Sequence, residues 1–117
     1  MQLLSLGNDP CLGMVDRYTC VWEFRVKPGC EAEFEQHYGP NGTWARLFAQ
    51  ARGYVETLLL KDGGAAGRYL TVDRWVDDAA YRAFRSAYSR QYEQLDQLCA
   101  TLTTDERLLG QFAERVK

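Results

Sequence analysis

The chain has 117 residues and a mass of 13.4 kDa, the size of one domain. Its 46% hydrophobic and 26% charged residues place it with ordinary soluble globular proteins and argue against disorder. A formal charge of −2 leaves no overall basic field, which argues against nucleic acid as the main partner, and no apolar run approaches the roughly 20 residues of a membrane span.

Residues 1–17 read as a loosely ordered leader, because Gly7, Asn8, Asp9, Pro10 and Gly13 disfavour a regular element. That stretch has no basic start followed by an apolar run, so no signal peptide is expected. Cys11, Cys20, Cys30 and Cys99 form no CxxC pair, and the single histidine, His37, cannot complete a conventional zinc site with them. Reduced thiols in the cytoplasm and no bound metal are the expectation.

From Tyr18 to residue 117 the chain reads as a single domain. Tyr18, Cys20, Trp22, Phe24 and Val26 alternate with more polar neighbours, the period of a strand with one apolar face, and Pro28-Gly29 ends it. Cys30 to Tyr38 predicts a short helix with Phe34 and Tyr38 on one side. A second helix carries Trp44, Leu47, Phe48 and Ala51, with Asn41 as its expected N-cap and Gly53 as its stop. Tyr54 to Lys61 predicts a strand, Asp62 to Gly67 a hairpin connection, and Arg68 to Val76 another strand. Asp77 caps a long helix predicted to run to about Leu102, and Arg107 to Val116 predicts the last strand.

That order is the ferredoxin-like split βαββαβ plan of the α+β class: a four-stranded antiparallel sheet with the helices on one face. The other face is left bare. Val21, Leu70, Val72 and Val76 make it too apolar to stay in water, while Glu23, Arg25 and Arg74 dot it with charge. A homodimer packed through the sheet faces is therefore expected.

Three segments carry a resemblance to a known family. They are Val21-Trp22-Glu23-Phe24-Arg25-Val26-Lys27-Pro28-Gly29 with Glu31, Phe34 and Tyr38; Gly53-Tyr54 with Thr57-Leu58-Leu59; and Arg68-Tyr69-Leu70-Thr71-Val72-Asp73-Arg74-Trp75 with Tyr81 and Phe84 beyond it. Together they resemble the antibiotic biosynthesis monooxygenase (ABM) domain of the dimeric α+β barrel superfamily. The resemblance implies a homodimer with one pocket per subunit between helices and sheet. Activities in that family include cofactorless oxygenation of anthrone-type phenols, quinol oxidation and haem degradation. The haem branch needs an Asn on the first strand and a His on the long helix. Those positions fall here at about Trp22 and Arg85, so no haem is expected.

Cofactorless oxygenation needs a dry aromatic slot, a base, and donors for the developing oxyanion. Substrate-binding candidates are Trp22, Tyr38, Trp44, Tyr69, Trp75, Phe84 and Arg85, although the same rings also suit a packed core. His37 is a candidate base because its unperturbed pKa lies near neutrality, and a solvated surface histidine is its plain reading. Asp73, on a central strand, must either pair with a cation such as Arg85 or have its pKa raised. The expected function is a cofactor-independent monooxygenase acting on a flat aromatic phenol, quinol or anthrone. The alternative is a non-catalytic small-ligand-binding or structural homodimer of the same fold.

Overall fold

The computed structural model describes residues 17–115, so the expected leader lies outside the described residues except for Arg17. Strand β1 (Arg17–Val26) forms where the alternation predicts it and occupies the middle of the sheet. Helices α1 (Glu31–Tyr38) and α2 (Thr43–Phe48) follow, then strands β2 (Tyr54–Lys61) and β3 (Arg68–Trp75). Helices α3 (Asp78–Ala87) and α4 (Ser89–Cys99) and a 3₁₀ turn (Ala100–Leu102) lead to β4 (Thr103–Glu114). The four strands pair antiparallel in the order β2-β3-β1-β4, which is the ferredoxin-like α+β arrangement.

Asp77 caps α3 as its sequence position requires: the Ala80 amide donates to its Oδ1 at 2.8 Å. Such a cap contributes about 1 kcal/mol. Gly53, before β2, has a φ of +88°, and a Cβ there would lie 2.6 Å from that of Ala80. The bare backbone lets the entry to β2 pass against α3 in a left-handed conformation.

Three local expectations change. Asn41 does not cap α2; Gly42 occupies that position, and the Asn41 carbonyl instead accepts from Arg46 at 2.8 Å. The long helix divides at Tyr88, whose φ of −115° leaves the helical region. The Tyr88 hydroxyl donates to the Gln50 carbonyl and holds that corner against α2's exit. β4 begins at Thr103 rather than Arg107. The polar run Thr103-Thr104-Asp105 lacks apolar alternation but pairs with β1, where the Thr104 hydroxyl reaches the Arg25 carbonyl.

Above the helix-facing side of the sheet the core is mostly aromatic. Phe24, Phe34, Tyr38, Trp44, Phe48, Tyr69, Trp75 and Phe84 are all buried there. The other face carries Val21, Leu70, Val72, Leu58, Leu60 and Phe112, the last two 47% and 52% exposed. Two of its charged side chains pair within the chain: Glu23 accepts from Arg68 and Arg107, and Arg74 bridges Glu56 and Glu114. Val76 departs from the expected patch. It lies beyond the end of β3 and lines a groove with Gly53, Ala80 and Ala83.

Candidate active site

Register decides which side chains meet above the sheet. Asp73 on β3 stands between Cys20 on β1 and Thr57 on β2, and Thr71 stands between Trp22 and Leu59. Strand β2 reaches this alignment only through a bulge between Tyr54 and Glu56. The extra residue, Val55, puts Tyr54 and Thr57 on the same side although they are three apart. The two then form a chain with the carboxylate: Tyr54 Oη donates to Thr57 Oγ1 at 2.8 Å, and Thr57 Oγ1 donates to Asp73 Oδ1 at 2.8 Å.

Over this floor lies a cleft of about 440 Å³, measured with its open mouth. Trp22, Phe24, Tyr38, Trp44, Phe48 and Tyr92 form its walls; Thr57, Thr71 and Asp73 form its floor; Asp96 and Glu106 stand among its lining. It is a narrow slot, pinched between the rings of its walls. Tyr92 comes from α4, with its ring edge-on to Trp44 at 4.9 Å between centroids.

Asp73 has no cation. Among the described residues it forms no ion pair, and Arg85 instead donates to Tyr81 Oη at 3.0 Å and lies 3.9 Å over the Tyr92 ring. Burial pushes the Asp73 carboxyl up to about 6, partly opposed by the Thr57 hydrogen bond, which favours the charged form. Burial also raises the Tyr38 and Tyr92 phenols, so both remain protonated donors at neutral pH. A carboxylate ready to accept a proton thus faces a slot walled by rings and hydroxyl donors.

The other expected residues divide by depth. Trp22, Tyr38 and Trp44 line the cleft. Tyr69, Trp75 and Phe84 do not. Tyr69 is sealed under Phe34 of α1 and donates to Glu35, while Trp75 is boxed in by Phe48, Tyr54, Tyr81 and Phe84. His37 lies on α1 outside the lining, its Nδ1 2.9 Å from Thr43 Oγ1 at the start of α2. Sequence reasoning missed Asp96 and Glu106 as site residues. Asp96 reads as part of the helix exterior, and Glu106 falls where no strand was predicted. Its register opposite Phe24 is the signal that places it on the helix-facing side.

Among the described residues no group of three His, Cys, Asp or Glu side chains is placed to hold a metal ion, and no helix is long and apolar enough to cross a membrane. Cys20, Cys30 and Cys99 are free thiols.

Comparison with known proteins fits this architecture. SnoaB, a cofactor-independent oxygenase from Streptomyces nogalater, superposes with a TM-score of 0.68 at 27% identity, covering 87% of this chain and 96% of that one. A point mutant of the same oxygenase gives a TM-score of 0.72 at 25% identity, with the same coverage. A Pseudomonas aeruginosa protein at 16% identity shares the fold, with a TM-score of 0.62 over 88% of this chain and 98% of its own. No curated protein sequence matches the chain. A family model described as antibiotic biosynthesis monooxygenase matches residues 17–94, which hold β1 through most of α4 and the whole cleft floor. The chain belongs to the antibiotic biosynthesis monooxygenase family.

Proposed function

We propose that this protein is a cofactor-independent monooxygenase for a flat aromatic phenol, quinol or anthrone, with Asp73 as its base. One observation carries the reading: an aspartate that meets no cation among the described residues, at the floor of an aromatic slot and bound there by Thr57. The resemblance to SnoaB supports the same chemistry.

In this reading the substrate lies edgewise between Trp22, Trp44 and Tyr92, and Asp73 removes its acidic proton. The resulting anion is electron-rich enough to reduce dioxygen directly. One oxygen atom enters the ring carbon through a hydroperoxide, which collapses to the quinone and water. Developing negative charge is met by Tyr38, whose phenol burial keeps protonated. The protein's contribution is orientation, dryness and a matched base. His37 acts, in this reading, by tying α1 to α2 rather than by touching substrate.

The narrowness of the slot favours a second reading, a ligand-binding domain without turnover. Oxygen uptake with a panel of anthrones and hydroquinones separates the two: rates above the buffer blank support the enzyme, and binding with rates equal to the blank supports the second.

Both readings include a second copy on the open face of the sheet. Leu58, Leu60, Val72 and Phe112 present apolar surface there, and Arg68, Arg74 and Arg107 are already paired with carboxylates within the chain. Each such side chain gains about 1.5–3 kcal/mol on burial, enough together to offset much of the cost of association. Sedimentation at micromolar concentration is expected to give twice the chain mass; a single-chain species would remove the dimer.

A further inference from the structure

The bulge in β2 interrupts its ladder with β3 at Val55 and brings two hydroxyls together. In a regular strand Tyr54 and Thr57, three residues apart, would point to opposite faces. With the bulge, Tyr54 Oη, Thr57 Oγ1 and Asp73 Oδ1 line up in one chain, each link 2.8 Å long. The chain has a direction. A carboxylate has no hydrogen to give, so Thr57 must donate to it and is left to accept from Tyr54. Both hydroxyl hydrogens then point toward Asp73, and each bond polarises the next.

The two oxygens of Asp73 have different surroundings. Oδ1 is taken by Thr57. Oδ2 has no hydrogen bond among the described residues, yet it is not one of the buried atoms left without a partner, so it is the oxygen open to the slot. The titratable groups packed around Asp73 are Cys20 on β1, Tyr54 on β2, Tyr81 on α3 and Tyr92 on α4. Burial raises all four, so all are uncharged at neutral pH. Arg85 of α3 is engaged by Tyr81 and the Tyr92 ring. The remaining acids nearby are Asp96 and Glu106 in the cleft lining and Glu56 beside Tyr54. Among the described residues, the hydroxyl chain is thus the only hydrogen bonding that favours the charged form of Asp73.

We propose that Tyr54, acting through Thr57, is a positioning residue for the base: the two hydroxyls fix Oδ1, favour the carboxylate and leave Oδ2 facing the substrate. This role rests on reading Asp73 as the base of the cleft and adds the residue two bonds behind it. Tyr54 is not placed to touch substrate, because it lies outside the cleft lining and borders a separate surface groove with Ala49 and Glu56.

Carbon-13 NMR titration of the Asp73 side-chain carboxyl, without substrate, tests the role in wild type, Thr57→Val, Thr57→Ser and Tyr54→Phe. The signal is assigned by its loss in Asp73→Asn. Thr57→Val keeps the shape and removes the hydroxyl, and should raise the midpoint by about one pH unit. Tyr54→Phe keeps the ring packing on Phe48 and Trp75 and leaves Thr57 in place. It should raise the midpoint by about half a pH unit, whereas a tyrosine held only for packing would leave it unmoved. Thr57→Ser should restore the wild-type midpoint. An unchanged midpoint in Tyr54→Phe or in Thr57→Val, or Thr57→Ser titrating like Thr57→Val, would overturn the proposal. Circular dichroism checks the fold; should Thr57→Val not fold, Tyr54→Phe alone decides. Turnover is not read in this experiment. Unmoved midpoints leave oxygen chemistry at Asp73 standing, and absence of oxygen uptake leaves the hold on the carboxylate standing.

Discussion

Asp73→Asn is expected to lower oxygen uptake by about 10²–10⁴-fold while making the protein more stable at neutral pH. Asparagine keeps an acceptor for the Thr57 hydroxyl but cannot take a proton. The stability change follows from linkage. The folded-state pKa is raised to about 6, above the ordinary aspartate value, so the folded protein holds more protons than the unfolded chain between about 4 and 6. Wild-type stability from this group therefore falls as pH rises through that window and stays low above it. Asparagine escapes the penalty. Urea unfolding should show the variant more stable by about 2 kcal/mol at pH 7.5, with the gain shrinking toward pH 4. A structural aspartate would show the opposite sign, because its removal would break a favourable pairing. Loss of activity with gain of stability is the pattern of a group retained for chemistry.

Trp75→Ala should be the most damaging core substitution, costing about 3–5 kcal/mol and lowering the melting temperature by more than about 10 °C. Trp75 is 0% exposed, and its ring meets Phe48, Tyr54, Tyr81 and Phe84 at 5.3–5.6 Å between centroids. No rearrangement of α3 alone could fill that void, because the indole touches rings from α2, β2 and α3 together. Trp75→Phe should cost much less, since it keeps the ring contacts and removes an indole N–H that has no partner. Thermal unfolding of the two variants, measured side by side, checks both expectations.

The fold was legible because its signals are periodic. Alternation over Tyr18–Val26, the Asp77 cap and the glycine-rich hairpin each act within a few residues, so sequence alone places them. Depth is another matter. Tyr69, Thr71, Asp73 and Trp75 share one face of β3 by parity, yet only Thr71 and Asp73 reach the cleft. Helix α1 covers Tyr69 through Phe34, and α3 covers Trp75 through Tyr81 and Phe84, which leaves the middle of the strand open. Strand parity says nothing about which helix lies overhead. Thr57 owes its place to the single extra residue at Val55, and Glu106 owes its place to a polar start of β4 that only pairing with β1 reveals. Both depend on contacts between distant segments. Pairing of Asp73 with Arg85 is the plain reading of the sequence, and Tyr92 overturns it by taking the guanidinium on its ring.

Asp73 serves, in this reading, as the base for oxygen chemistry without a cofactor. The most direct test of that role is the pH dependence of oxygen uptake by the wild-type protein with an anthrone or hydroquinone that is turned over. The base works only when deprotonated, so kcat/KM should rise with pH, reach half its maximum near pH 6, and level off above it. A rate equal to the buffer blank at every pH, or a half-maximum at the ordinary aspartate value near 4, would contradict it.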